Sequence, residues 1–141
     1  MKYNLRLVLA ISAAVIVLVA VAYLIYRQNL QKKRLIKRWN SLMKLVRKKS
    51  KWSEFAVEAD KLIVDTLKFK RFKGHNAGEK IVSAQHVFSN NDDVWFCHKL
   101  ATQVSSEKIP IEDKEVVLRL IHSCRQSLID LDILRNDKNA R

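Results

Sequence analysis

An uncharged run of twenty residues, Leu7 to Tyr26 (LVLAISAAVIVLVAVAYLIY), limits this chain more than any other feature, and it holds neither Gly nor Pro. At about 1.5 Å per residue, a helix of that length spans roughly 30 Å, the hydrocarbon thickness of a bilayer. Arg6 bounds the run on one side. On the other stand Arg27, Lys32, Lys33, Arg34, Lys37 and Arg38. The run therefore reads as a transmembrane helix, residues 7–26, between a short flank (1–6) and a basic juxtamembrane neck (27–51).

The net charge of +13 resembles a nucleic-acid signature until it is divided along the chain. Residues 1–53 carry thirteen of the 27 Lys and Arg and no acid, which leaves fourteen bases against all fourteen acids in the remainder. The globular part is electrically balanced. Two bases precede the apolar run and eleven follow it within residues 27–51. The positive-inside rule then predicts a single-pass protein of the inner or plasma membrane, its C-terminal domain cytoplasmic and its short N-terminus outside. Anionic headgroups attract such a neck by about 1 kcal/mol per residue near the surface. Lipid is thus the expected partner of Arg27, Lys32, Lys33, Arg34, Lys37 and Arg38, ahead of RNA.

A signal peptide is the rival reading, because Ala20-Val21-Ala22 has a small-x-small cleavage form and cleavage after Ala22 would export a basic protein. The apolar run, however, continues through Tyr23 to Tyr26, and the positive cluster behind it arrests translocation. A retained anchor is preferred. Cys97 and Cys124 each sit in a helical apolar pattern and read as buried free thiols of a reducing compartment.

Two Gly and one Pro in the chain argue against a sheet-rich fold. Leu35, Trp39, Leu42, Met43 and Val46 continue the first helix with one apolar stripe. Ser53 is a candidate N-cap for a second helix, with Phe55, Ala59, Leu62, Ile63, Thr66 and Leu67 on one face and Gly74 at its end. Asn76-x-x-Glu79 has capping-box spacing for a third, with Ile81, Ala84, Val87 and Phe88 behind it. Ser89 to Asp93 is a turn that supplies the next N-cap. Val94, Cys97, Ala101 and Val104 form the face of a fourth helix, and Ser105 to Ile111 a loop. The last helix starts near Asp113 and carries Val117, Leu120, Ile121, Cys124, Leu128 and Leu131. The fold class is all-α: one transmembrane helix and a bundle of four to five helices over 52–134, with a polar tail at 135–141.

Chemistry is sparse. G-x-S-x-G, Walker A, H-E-x-x-H and C-x-x-C motifs are all absent from the sequence. Cys97-His98 and His122-x-Cys124 offer four metal-ligand types, but within each pair the helical spacing sends the side chains to different faces, so no metal and no cofactor is expected. Lys68-Phe69-Lys70-Arg71-Phe72-Lys73 interleaves rings with cations, which makes Lys70, Arg71 and Lys73 candidate lipid or nucleic-acid contacts. The preferred reading is structural: cations at a helix C-terminus and rings that seal the bundle end. The acidic pairs Asp92-Asp93 and Glu112-Asp113 stand where helices begin and read as caps.

Trp52, Ala56-Val57-Glu58-Ala59-Asp60-Lys61-Leu62, Gly74, Gly78-Glu79-Lys80, Ser83-Ala84-Gln85 and Val94-Trp95-x-x-His98-Lys99-Leu100 together carry a resemblance. Over residues 52–134 the chain resembles an uncharacterised family of small membrane-anchored helical proteins from reduced-genome, candidate-phyla-type bacteria. The family's last motif continues as Arg-Asn and then His-Glu, similar to the signature of HEPN-like helical domains, several of which are ribonucleases or dimeric nucleotide-binding partners. The present chain has Ala101-Thr102 in place of Arg-Asn, and Ser106 before Glu107 in place of His. Alanine has no polar group to bind phosphate, and serine has no pKa accessible for proton transfer at neutral pH.

His98, Lys99, Ala101, Thr102, Ser106 and Glu107 are thus the positions of a degenerate motif. No catalytic residue is expected, and His98 is expected to be structural. The neutral domain, the basic neck and the vacated motif point to a membrane-tethered, non-enzymatic interaction module with a protein partner, and the resemblance implies a homodimer. RNA or nucleotide binding, as a lapsed ribonuclease, is the alternative.

Overall fold

A computed structural model describes residues 2–136, and among them there is no strand. Five α-helices follow one another: α1 (Lys2–Leu45), α2 (Trp52–Phe69), α3 (Ala77–Ser83), α4 (Asn91–Glu107) and α5 (Lys114–Asp130), with a 3-10 turn at Lys49–Lys51. The chain divides into two compact units between Arg34 and Leu35.

The first unit is helix alone. Every side chain from Asn4 to Leu30 is exposed, and between Leu7 and Tyr26 the large apolar groups keep 47% (Val21) to 69% (Leu18) of their surface. By length and composition the helix is able to cross a membrane. Its hydroxyl at Ser12 is satisfied within the helix, donating to the Leu9 carbonyl at 2.9 Å, so the run carries no unmet side-chain polar group there.

The second unit is built around α2. Phe55, Ala56, Ala59, Leu62, Ile63, Thr66 and Leu67 are all buried, which is the predicted face with Ala56 added. Thr66 is tolerated there because its hydroxyl donates to the Leu62 carbonyl at 2.8 Å. Leu35, Trp39 and Leu42 of α1 join this core, with Met43 and Val46 half-buried against it. The Trp39 ring lies 6.5 Å from that of Phe55. Ile81, Ala84 and Phe88 pack from α3 and the turn after it, Val94, Cys97, Ala101 and Val104 from α4, and Val117, Leu120, Cys124, Leu128 and Leu131 from around α5. Ile121 is only half-buried at the edge of that face.

Helix starts follow the expected chemistry at three places. Asn76 accepts from the Glu79 amide at 2.8 Å, while the Glu79 carboxylate reaches back to the His75 amide at 2.6 Å. Asn90 caps α4 by accepting from the Asp92 amide, and Asp113 caps α5 by accepting from the Glu115 amide. Asp92 and Asp93 therefore belong to the first turn of α4 rather than to its cap.

α3 stops at Ser83, so Ala84, Val87 and Phe88 of its predicted face lie in the turn after it. Three further boundaries differ from expectation. Ser53 is not the cap of α2, which begins one residue earlier without a side-chain cap. Its hydroxyl instead accepts the Ile111 amide at 3.0 Å and ties down the α4–α5 connection. Nor does Gly74 end α2. Arg71 takes the left-handed position (φ 63°), with the Phe72 amide bonded to the Leu67 carbonyl and the Arg71 amide to that of Lys68, the double closure of a Schellman motif. Gly74 (φ 143°) serves a later turn, where a Cβ would stand 2.7 Å from the Lys80 nitrogen. Finally, Ser105, Ser106 and Glu107 lie in the last turns of α4, and the connection begins only at Lys108. Of the predicted tail (135–141), residues 137–141 lie outside the described residues.

These contacts set expected stabilities, read by urea or thermal unfolding of the full chain in detergent. Leu62→Ala opens a cavity at a site with no solvent exposure and should cost about 2–5 kcal/mol. Gly74→Ala meets both the backbone contact and the positive φ and should cost about 1–3 kcal/mol. Arg71→Gly relieves a left-handed non-glycine residue and should gain about 1 kcal/mol.

Candidate functional site

The second unit holds a carboxylate and an imidazole facing each other inside its helices. Asp60 is on α2, one residue beyond Ala59 of the buried face. His98 is on α4, one residue beyond buried Cys97. The α2–α4 packing brings them together: His98 Nδ1 lies 3.1 Å from each Asp60 oxygen. Their side chains are only 21% and 16% exposed, and the Trp95 ring meets the imidazole in a T-shaped arrangement with centroids 6.0 Å apart.

Burial pushes the Asp60 carboxyl above its ordinary value of 3.8, and the charge and hydrogen bond of His98 pull it back only in part. With Nδ1 turned to a carboxylate, the other ring nitrogen of His98 is the one left to exchange a proton or bind a ligand.

Beside the pair is an open cleft of about 350 Å³ lined by Val57, Asp60, Lys61, Ala101, Thr102, Ser105 and Ser106. Of the degenerate motif positions, Ala101 (buried), Thr102 and Ser106 line this cleft, whereas His98 lines a second groove with Thr102, Ser106, Lys99 and Glu107. Three of the cleft's polar side chains are engaged locally. Thr102 donates to the His98 carbonyl (2.8 Å), Ser106 to the Gln103 carbonyl (3.3 Å), and Lys61 to Glu58 (2.6 Å). A hydroxyl bonded back onto its own helix is not a nucleophile held by a base. Lys99 and Glu107 sit on the exposed side of the same helix.

The basic candidates disperse. Arg38 forms an ion pair with Asp65 at 2.7 Å, so its guanidinium bridges α1 to α2. Lys37 is exposed. At the end of α2, Lys70 stands 4.0 Å from Asp132, while Arg71 and Lys73 are exposed. The interleaved rings turn inward: Phe69 and Phe72 pack against the core, and Phe72 meets His86 edge-on at 6.0 Å. Both rings are partly buried at that end of the bundle. Of the remaining candidate ligands, His122 is exposed, whereas Cys97 and Cys124 are buried.

Sequence pattern alone does not single out Asp60. The available signal is an acid beside the apolar stripe of α2, on the arc that must face another helix. No protein-family model, curated protein or solved structure matches this chain.

Because the Asp60 value is raised, the folded chain keeps a proton there that the unfolded chain has released. The resulting stability is full below the ordinary carboxylate value and is lost as pH rises through the raised one. Asp60→Asn should flatten this acid-side gain in unfolding measured between roughly pH 4 and pH 7, while neutral-pH stability shifts by less than about 1 kcal/mol.

Proposed function

We propose that the chain is a single-pass membrane protein whose helical domain acts without catalysis, as a protein-interaction module on the cytoplasmic face. One observation carries this reading: an uncharged twenty-residue run with exposed side chains, followed at once by an acid-free basic segment. Twelve Leu, Ile and Val in that run favour insertion by roughly 5 kcal/mol in total, at about 0.4 each. The basic neck supports a cytoplasmic domain and contact with anionic headgroups.

The domain's own charge balance supports a protein partner over nucleic acid, as do the inward-turned Phe69 and Phe72. Lapsed catalysis is supported by Ala101 and Ser106, where the resemblance to HEPN-like domains would require Arg and His. Pairing of two copies belongs to this reading by the same resemblance.

Val17→Arg places a cation at the centre of the run and should raise the insertion cost by about 3 kcal/mol. Carbonate extraction of membranes then recovers more protein in the soluble fraction, and Val15→Arg with Val19→Arg abolishes integration. In right-side-out vesicles the domain should resist added protease, whereas digestion there would reverse the orientation. A mature chain beginning at Tyr23 would instead establish export. Salt-sensitive RNA binding by the detergent-solubilised chain would favour the nucleic-acid reading.

A further inference from the structure

Cys97 projects from α4 and Cys124 from α5, both without solvent exposure. Their sulfurs lie 3.2 Å apart, 27 positions apart in sequence, and both are free thiols. Sulfurs in such contact must close by roughly 1 Å to reach a disulfide bond length of about 2.05 Å, a movement within reach of side-chain rotation and a small approach of two packed helices. A second contact steadies Cys97, whose Sγ stands 4.0 Å from the Leu120 carbonyl. The pair thus presents the geometry from which a cross-link between α4 and α5 forms without rebuilding the core.

We propose that Cys97 and Cys124 are a disulfide-forming pair that staples α4 to α5 when the chain meets a disulfide oxidant such as oxidised glutathione. The proposal is independent of the interaction-module reading and of which side of the membrane the domain occupies.

The steps balance as thiol–disulfide exchange. Cys97, as thiolate, attacks one sulfur of the oxidant. The oxidant's S–S bond breaks, and its departing thiolate takes up a proton. Cys124 then loses its proton and attacks Cys97 Sγ in the mixed disulfide, releasing the second oxidant thiolate, which is protonated in turn. The two protein thiols give up two electrons and two protons, and one oxidant disulfide becomes two thiols. The contact with Cys97 and burial both push the Cys124 thiol up, and the charge of Asp60 adds to this. Within the closed domain the pair therefore resists reaction, and exchange accompanies folding or the local parting of α4 from α5. Once formed, the link closes the α4–α5 connection, which Ser53 already anchors through the Ile111 amide.

The test uses the full chain in mild detergent, equilibrated with reduced or oxidised glutathione, with sub-denaturing urea to open the domain. On oxidation, the intact mass should fall by two hydrogens, both cysteines should resist maleimide alkylation after denaturation, and peptide mapping should find the Cys97–Cys124 link within one chain. The thermal midpoint should rise on the order of 10 °C and return on reduction. Cys97→Ser and, separately, Cys124→Ala should each abolish the mass change and the thermal shift. Glutathione retained on a single cysteine, a link between two chains, or a lower midpoint after oxidation would each overturn the assignment.

Discussion

The domain depends on the complete dehydration of one face of α2. Phe55, Ala56, Leu62 and Leu67 have no exposed surface, and Ala59 and Ile63 almost none. A helix buried this way cannot gain its stability from propensity alone; it needs apolar partners around that face. The last turns of α1, the short α3, and the long α4 and α5 supply them. The small residues Ala56 and Ala59 let neighbouring backbones come close, while Phe55, Leu62 and Leu67 fill the space between. The same close approach holds Asp60 against His98, since both stand one residue beyond a buried position. The polar pair is thus a consequence of apolar packing rather than its cause.

With two glycines in the chain, helix ends must be made from other residues. Arg71 and Asp132 each take a left-handed conformation, and each is followed by an apolar residue whose amide returns to the helix, Phe72 to Leu67 and Ile133 to Leu128. Lys108 does the same for α4 with a single bond to Val104. Each placement costs about 1 kcal/mol or more, offset by the closing bonds and, behind Arg71 and Asp132, by packing of Phe72 and Ile133 against the core, whereas Ile109 behind Lys108 stays exposed. Stability that glycine supplies elsewhere comes here from packing at the ends.

Periodic features are legible in the sequence: the buried face of α2, the Val94–Cys97–Ala101–Val104 stripe and the capping box at Asn76 all follow from spacing. What spacing leaves hidden is non-local. Ser53 has the chemistry of a cap, but the Ile111 amide, 58 positions away, claims its hydroxyl. Gly74 looks like a helix stop because glycine tolerates positive φ, yet its place is fixed by the closeness of Lys80. Asp60 reads as one more surface acid until α4 brings His98 to it. In each case the deciding partner lies on a different element, and a periodicity argument has no access to it.

Two buried polar contacts on neighbouring positions of α4 have different physical standing. Asp60 with His98 keeps ionisable groups partly open to water, and in its cleft the Thr102 and Ser106 hydroxyls are bonded to their own helix. Cys97 with Cys124 is fully enclosed and behaves as apolar packing while reduced. Protonation acts on the first and electron transfer on the second, so pH and redox state reach the α2–α4–α5 core by separate routes. Their nearness still couples them, because the charge on Asp60 opposes a thiolate at Cys124. A change that neutralises Asp60 therefore eases formation of that thiolate even though no bond joins the two residues.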